Sequence, residues 1–288
     1  MQYLKVTLID VGWGDSILLE ASNGNSQPVF GLIDSNDNEK DSYWPVWNFL
    51  RKRTGLSTTE RKNARPYFDF IMLTHDHSDH GSGLQRLIKE YGTRRFWHPK
   101  VHEEDSPVLV YLRNYVDRYQ TDTDREALDN SKIAGTFGDV HMEVLWPAPD
   151  WDYSGNPNNN SIVLSLTLGG QSIVLTGDAE GEVWEKIADK IPPNTVAFKV
   201  PHHGSKNGTI YHSDTPWVNR VAGFANKPFL GISCHPNFPR KFDFPHTEVT
   251  NIFDENYLEY LRTDQHYHIS FILTEHDFNV QYSHALYD

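Results

Sequence analysis

Four potential metal ligands lie within six residues, directly after the apolar run from Phe68 to Leu73. They are His75, His77, Asp79 and His80. Imidazoles and carboxylates crowded at the end of a buried strand are costly to remove from water without partners, so a bound cation is the natural way to satisfy them. In an extended segment residues 75 and 77 point the same way, whereas 79 and 80 lie one short turn further on. The spacing therefore predicts two adjacent metal ions and disfavours a histidine-rich surface turn without metal.

Apolar runs along the chain predict a mixed α/β protein. Strands are expected at 3–9, 16–20, 29–33, 68–73, 95–97, 141–146, 161–168, 172–175, 197–200, 229–233 and 268–273. Helices are expected at 42–54, 83–91, 107–119, 182–190 and around 247–253. This mixture favours two sheets covered on their outer faces. No clear linker divides 1–288, so we expect one domain, with insertions at about 36–66 and 100–137 whose aromatic residues are more typical of packing than of a substrate lid.

The composition narrows the class of protein. With 38% hydrophobic and 23% charged residues the chain is an ordinary globular protein. No apolar run approaches the roughly 18 residues of a membrane span, and no secretory signal is visible at the N-terminus. The single cysteine, Cys234, excludes an internal disulfide framework. We therefore expect a cytoplasmic enzyme without membrane contact, and the net charge of -13 argues against a broad nonspecific nucleic-acid surface.

Residues 75–80 match the His-x-His-x-Asp-His signature of the metallo-β-lactamase superfamily, and further blocks follow in the order of one of its branches. These blocks are Asp10-Val11-Gly12-Trp13-Gly14-Asp15, Asn158-Asn159-Asn160-Ser161, Thr176-Gly177-Asp178-Ala179-Glu180 and Pro201-His202-His203-Gly204-Ser205. That branch comprises the hydrolase domain attached to the DNA-competence channel protein ComEC and its soluble relatives, and the chain resembles the soluble standalone form. The resemblance implies a four-layer αββα sandwich with two divalent metal ions at one edge between the sheets, zinc being expected and manganese or magnesium the alternatives.

The resemblance also implies a role for each matching residue. The ligands would be His75 and His77 for the first ion, Asp79 and His80 for the second, and Asp178 as the bridge between them. Of the next pair, His203 is favoured as a ligand of the second ion and His202 as a contact to substrate or to a neighbouring carboxylate, because consecutive residues at a strand end point to opposite sides. The catalytic residues would be Asp79, Asp178, His202 and His246.

Three further carboxylates are expected to support the ligands. Asp34 follows an apolar strand and corresponds to an aspartate that orients a ligand histidine by fixing its tautomer. Asp10 and Asp15 lie in a glycine-containing turn, where they either support the ligands in the same way or satisfy backbone donors of the turn.

The substrate side of the site is expected to involve a histidine and nearby cations. His246 could donate a proton to the leaving group or bind a substrate oxygen, and its alternative is a surface histidine at a helix start. Lys206 and Arg240 are expected to contact substrate oxygens. Lys199 and Lys241 lie in or beside the same loops, and ordinary solvated side chains are the alternative for all four cations.

One position departs from the wider superfamily. Most members carry a further histidine just before the strand that is expected to begin at 161, where this chain has Asn158, Asn159 and Asn160. Asparagine is a weak neutral oxygen donor, so with Asn158 as ligand the first site would be looser and would accept manganese or magnesium more readily.

These observations favour a metal-dependent hydrolase, specifically a phosphodiesterase or nuclease whose two ions activate a water. Its substrate would be a nucleic acid, a nucleotide or another phosphorylated small molecule. The alternatives are hydrolysis of a lactone, thioester or β-lactam, and an inert binding or assembly module of the same fold; the retained ligands disfavour the inert module. A protein partner in a larger assembly is compatible with this hypothesis, and the sequence predicts no oligomeric state.

Overall fold

Two β-sheets pack face to face in the computed structural model, and helices cover the outer face of each. The structure describes residues 1–24, 27–37, 46–57, 59–60, 65–101, 106–132, 135–235 and 243–283. The strands are β1 (Tyr3–Leu8), β2 (Ile17–Ala21), β3 (Val29–Ile33), β4 (Phe68–Met72), β5 (Thr93–Pro99), β6 (Asp124–Leu128), β7 (Gly135–Phe137), β8 (Val140–Trp146), β9 (Val163–Leu168), β10 (Gln171–Leu175), β11 (Thr195–Lys199), β12 (Phe229–Ile232), β13 (Tyr260–Arg262), β14 (Ile269–Thr274) and β15 (Phe278–Tyr282).

Short helices connect the strands. The α-helices are α1 (Val46–Thr54), α2 (Ser78–Gly81), α3 (Leu84–Tyr91), α4 (Pro107–Tyr119), α5 (Gly181–Ile187), α6 (Lys206–Thr209), α7 (Pro216–Ala222), α8 (Thr247–Glu255) and α9 (Thr263–His266), with 3₁₀ turns at Pro157–Asn160, Ala188–Lys190 and Pro201–Gly204. None of the described helices is long and apolar enough to cross a membrane.

Each sheet has an antiparallel part and a parallel part. Within the described residues the first sheet has the order β15-β14-β1-β2-β3-β4-β5-β6, and the second has the order β13-β12-β11-β10-β9-β8-β7. Strands β3 to β6 run parallel in the first sheet, and β10 to β13 run parallel in the second. The remaining neighbours pair antiparallel. Parallel neighbours end at the same edge of a sheet, so the loops that follow them are brought close together.

Side chains that alternate along the strands build the layers. In β2, Ile17 and Leu19 enter the apolar core between the two sheets, whereas Leu18 faces the helices outside the first sheet. That outer layer includes Leu50 of α1 and Leu112 of α4, from the two segments predicted as insertions. A third apolar cluster joins the second sheet to α5, α7 and α8. The predicted four-layer αββα sandwich is confirmed, whereas the single-domain organisation and the assignment of 36–66 and 100–137 as insertions stay predictions.

Four strands of the structure were not expected from the sequence, and all of them lie at sheet edges. They are β6, β7, β13 and β15. β6 has the polar sequence Asp-Arg-Glu-Ala-Leu with its first three residues exposed, and β15 is largely exposed as well. An edge strand buries few side chains, so it lacks the apolar pattern by which a strand is recognised in a sequence.

The two sheets approach each other closely at Gly231 in β12, and this makes a stability prediction. A Cβ added there would lie 2.7 Å from Leu8 Cδ1 and 2.8 Å from Phe271 Cζ. Gly231→Ala should therefore lower the free energy of unfolding by about 1–3 kcal/mol through overpacking. The matched control is Gly155→Ala, since no atom lies within 4 Å of its added Cβ. Equal urea midpoints for the two variants would contradict this packing.

Candidate metal centre

Loops at the carboxyl ends of strands from both sheets meet at one edge of the sandwich. β3 leads to Asp34, β4 leads to the segment from His75 to His80, β10 leads to Asp178, and β11 leads to the pair at 202–203. Their side chains form overlapping groups whose potential ligand atoms lie within 4.8 Å of one another, including His75 with His80 and Asp178, and Asp79 with His80 and His203.

His75 and His77 present two ring nitrogens to each other. His75 Nε2 and His77 Nδ1 are 3.1 Å apart. The Thr74 hydroxyl donates to Asp34 Oδ2 at 2.6 Å, so its oxygen accepts from His75 Nδ1 at 3.1 Å. Burial lowers the pKa of both histidines, well below the usual value for His75. A neutral His75 with its proton on Nδ1 therefore directs the Nε2 lone pair toward His77.

Asp178 lies between two further histidines. Its Oδ2 is 3.3 Å from His80 Nε2 and 3.2 Å from His203 Nε2. The other ring nitrogens are already engaged, His80 Nδ1 with Asp34 Oδ2 at 2.8 Å and His203 Nδ1 with the Ser233 carbonyl at 2.9 Å. Asp79 Oδ2 is 3.9 Å from His80 Nε2 and 3.8 Å from His203 Nε2. One carboxylate thus stands at the centre of the group.

These positions fit a divalent cation. Donor atoms about 2.0–2.1 Å from a tetrahedral zinc ion lie about 3.3–3.4 Å from one another. The distances of Asp178 Oδ2 from His80 Nε2 and His203 Nε2, 3.3 and 3.2 Å, are close to this value. Within the described part of the chain, three buried atoms have no hydrogen-bond partner, namely His80 Nε2, His203 Nε2 and Asp178 Oδ1. Although burial opposes the charged form, Asp178, Asp34 and Asp79 raise the pKa of His80 well above its usual value. A cation would take the place of that proton.

Asp34 supports the centre without facing it. The side chain is fully buried, and its two oxygens accept from the Thr74 backbone N–H at 2.7 Å, the Thr74 hydroxyl and His80 Nδ1. These donors occupy the carboxylate and fix the orientation of His80.

Asp76 connects the ligand segment to α4. Its Oδ1 accepts from the backbone N–H of Leu109 at 2.5 Å, in the first turn of that helix. Asp76 lies between His75 and His77 in the chain, so the start of α4 is bound directly to the segment that carries both histidines.

Asp15 is part of a buried ion pair that the sequence did not reveal. Its Oδ2 lies 2.8 Å from Lys199 Nζ, and both side chains are fully buried. Lys199 Nζ also donates to the carbonyls of Gly177 at 3.1 Å and Val200 at 3.3 Å. The solvated alternative for Lys199 is wrong, because β11 carries this residue into the base of the site, where its side chain is fully buried. The pair connects the loops that lead to the candidate ligands.

Asp10 belongs to its own turn. Its Oδ1 accepts from the Gly12 N–H at 3.1 Å, as the turn alternative predicts. Burial raises the pKa of Asp10 to about 6. Asp10 is in none of the potential ligand groups found among the described residues.

His202 and His203 do not continue a strand. They lie in the 3₁₀ turn with φ of 47° and 54°, a left-handed conformation that is uncommon outside glycine. The expectation of a strand end with opposed side chains is wrong, because both rings turn toward Asp178. His203 Nε2 comes within 3.2 Å of Asp178 Oδ2 and His202 Nε2 within 3.9 Å. His203 is buried, whereas 17% of the His202 side chain is exposed.

The three asparagines have different partners. Asn159 Oδ1 accepts from the Glu180 N–H at 3.0 Å, and Asn160 Oδ1 accepts from Trp151 Nε1 at 2.9 Å. Asn158 donates from Nδ2 to Glu180 at 2.8 Å, and its buried Oδ1 has no hydrogen-bond partner among the residues that the structure describes. Asn158 is therefore the member of the triplet with an oxygen left to bind a cation.

The residues expected to contact substrate lie on the exposed side. His246 Nδ1 accepts from the Lys206 backbone N–H at 3.0 Å, so the neutral ring carries its proton on Nε2. The Lys206 ammonium is paired with Glu248, and both side chains are about half exposed. Arg240 and Lys241 lie outside the described residues.

A family model described as "Metallo-beta-lactamase superfamily" matches residues 5–212. The chain belongs to the metallo-beta-lactamase superfamily. This confirms the superfamily that the motifs predicted, and the described residues include groups that could bind a metal ion.

One curated relative within this superfamily resembles most of the chain. ComE operon protein 3 of Bacillus subtilis is 29% identical over 278 residues, which are 91% of this chain and 32% of the relative. The chain therefore spans about a third of that protein's length, and the similarity matches the predicted ComEC-like branch.

Two solved structures share the superfamily fold. Igni18, a metallo hydrolase from Ignicoccus hospitalis, superposes with a TM-score of 0.55 at 13% identity, covering 97% of this chain and 98% of its own. Zn²⁺-bound PqqB from Methylobacterium extorquens gives a TM-score of 0.53 at 10% identity, covering 90% and 97%. At these identities the similarity concerns the fold.

The buried ion pair beneath the site makes a stability prediction. Lys199→Met leaves the Asp15 carboxylate buried without a counter-charge and should cost about 3–5 kcal/mol of unfolding free energy. Adding Asp15→Asn removes that charge and should restore a substantial part of the loss. Urea unfolding with chelator present measures both, because bound ions then make no contribution. A double variant no more stable than Lys199→Met would contradict the pairing.

Proposed function

We propose that this protein is a metal-dependent phosphodiesterase or nuclease that uses two divalent ions. The observation that carries the proposal is the Asp178 carboxylate, whose Oδ2 lies 3.3 Å from His80 Nε2 and 3.2 Å from His203 Nε2 while His75 stands in the same group. A carboxylate shared in this way is the arrangement needed to hold two cations a few ångströms apart.

We assign the first ion to His75 and His77 with the oxygen of Asn158, and the second to Asp79, His80 and His203, with Asp178 between them. When bound, the ions would activate a water and stabilise charge on the attacked centre. Zinc is favoured at the second position, where His80 and His203 join the Asp79 carboxylate. Zn²⁺-bound PqqB, which shares the fold, is consistent with this choice. The neutral amide oxygen at the first position favours manganese or magnesium there.

The substrate would lie on the exposed side of these ligands. His246 can give a hydrogen bond from Nε2 to a substrate oxygen, because its Nδ1 already accepts from the Lys206 backbone. His202 is the partly exposed member of the histidine pair and would contact the same substrate. Lys206 and Arg240 would add charge for phosphate oxygens once the pairing of Lys206 with Glu248 opens.

A phosphodiester is favoured over a carboxylic ester for two reasons. A pair of cations can stabilise both the attacking and the leaving oxygen of a phosphoryl displacement. The chain also resembles the branch that contains the hydrolase domain of a DNA-competence channel protein, and this analogy supports a nucleic-acid substrate. A cytoplasmic location and a protein partner in a larger assembly belong to the same proposal.

The assigned roles predict different effects of two histidine substitutions. His203→Ala should lower metal content and turnover together, because a ligand is lost. His246→Ala should lower turnover about 10²-fold or more at unchanged metal content, because it acts on the substrate side. Elemental analysis of the purified variants, beside steady-state kinetics, separates the two roles. Equal metal loss in both variants would reject the division.

The substrate class is tested by a metal-supplemented activity screen. The protein should hydrolyse bis-p-nitrophenyl phosphate and single-stranded or double-stranded nucleic acid, with activity restored by manganese or zinc after removal by chelator. A lactone and a β-lactam serve as competing substrates. A metal-loaded protein that opens either of these while leaving every phosphodiester intact would overturn the proposal in favour of acyl hydrolysis.

A further inference from the structure

Asn158 lies in the triplet that replaces the superfamily's further histidine. Glu180 contacts this asparagine and His202. Its Oε1 lies 2.8 Å from Asn158 Nδ2 and 3.1 Å from His202 Nδ1. Its Oε2 accepts from Asn156 Nδ2 at 2.8 Å. No sequence pattern indicates this role, apart from the position of Glu180 two residues after Asp178.

We propose that Glu180 is a positioning residue that directs the Asn158 oxygen toward the first metal position and holds the His202 ring beside it. The assignment of that position rests on the function proposed above. Through Glu180, the Asn158 oxygen would take the place that a histidine has in other members of the superfamily, and His202 would keep its contact with the substrate.

The direction of the Asn158 amide follows from the hydrogen bonds of its partner. Glu180 accepts from two amide NH₂ groups, that of Asn158 at Oε1 and that of Asn156 at Oε2, each at 2.8 Å. Because Glu180 is the acceptor, the Asn158 NH₂ faces it and the amide oxygen faces away. Among the described residues that buried oxygen has no hydrogen-bond partner. An oriented, unpartnered oxygen is an available ligand.

The direction of His202 follows in the same way. Its Nδ1 lies 3.1 Å from the carboxylate, without the alignment of a full hydrogen bond, and its Nε2 lies 3.9 Å from Asp178 Oδ2. Asp178 is the carboxylate assigned to both ions, so one ring nitrogen of His202 lies toward Glu180 and the other toward that shared carboxylate.

The backbone alone does not favour this placement. His202 has φ 47° and ψ 48°, a left-handed conformation that is unfavourable for a non-glycine residue. Contacts from several sides hold it, among them its own N–H donating to the Gly177 carbonyl at 3.3 Å and its carbonyl accepting from Ser205 at 2.8 Å. On the ring itself, Phe244 packs at 5.6 Å between centroids, and Glu180 at 3.1 Å is a nearer carboxylate than Asp178 at 3.9 Å. Loss of the Glu180 charge therefore removes the nearer of these two carboxylate contacts.

The test is metal binding by the chelator-stripped protein. Binding is measured by calorimetric titration with Mn²⁺, and the ligand environment is measured by the visible spectrum of the Co²⁺-loaded form. Glu180→Gln keeps the shape of the side chain and removes its charge. We expect the weaker of two binding steps to lose about tenfold or more in affinity while the stronger step is unchanged. Asn158→Ala should weaken the same step, and the double variant should lose less than the sum of the two.

The matched control is Glu182→Gln. Glu182 accepts from Asn159 of the same triplet at 3.3 Å and lies 4.0 Å from Lys186. Within the described residues it makes no hydrogen bond or ion pair with Asn158 or His202. It should leave both binding steps and the Co²⁺ spectrum unchanged. Equal losses in the two glutamate variants, additive losses in the double variant, or an unchanged Glu180→Gln protein would overturn the role of Glu180. A parent protein that binds no ion would instead overturn the proposed function.

Discussion

A fully buried lysine holds together the loops on which the site depends. Lys199 makes contacts of 2.8–3.3 Å with Asp15 and with the carbonyls of Gly177 and Val200. Gly177 precedes Asp178, and Val200 precedes the turn that carries both histidines. An ammonium group without water must keep all of these partners, since its desolvation is compensated only by them. The positions of Asp178 and His203 therefore depend on a residue that neither faces the substrate side nor contacts a candidate metal position.

The charge of the site has the same origin. Asp15, Asp34 and Asp178 are buried within one small region, together with His75, His80 and His203. Lys199 neutralises Asp15, and Thr74 with His80 occupies the oxygens of Asp34. Although burial opposes ionisation, His203, His80 and His202 hold the pKa of Asp178 well below its usual value. Asp178 is thus the buried carboxylate kept ionised by neighbouring imidazoles, which is the state a bridging ligand requires.

Local patterns in the sequence predicted two sheets with helices on their outer faces and a cluster of candidate metal ligands, and the family resemblance implied the four-layer sandwich. Apolar alternation located the inner strands, and the spacing of His75 to His80 located the candidate ligand segment. The parts that were missed leave no such pattern. Edge strands such as β6 bury too little to be periodic, and Lys199 resembles any lysine until β11 places it under the site. The contact between Glu180 and Asn158 spans 22 residues and forms only when β10 pairs with β9.

Helix α4 donates a hydrogen bond to the Asp76 carboxylate of the site. Asp76 accepts from the first turn of the helix and is flanked in the chain by His75 and His77. Thermodynamic coupling is reciprocal. If a bound ion raised the affinity of the start of α4 for another molecule, that molecule would raise the affinity for the ion by the same factor. The exposed Tyr111 and Tyr119 lie further along this helix, at 55% and 58% accessibility. A molecule bound to this outer helix could therefore influence the candidate metal centre through Asp76 without occupying the substrate side.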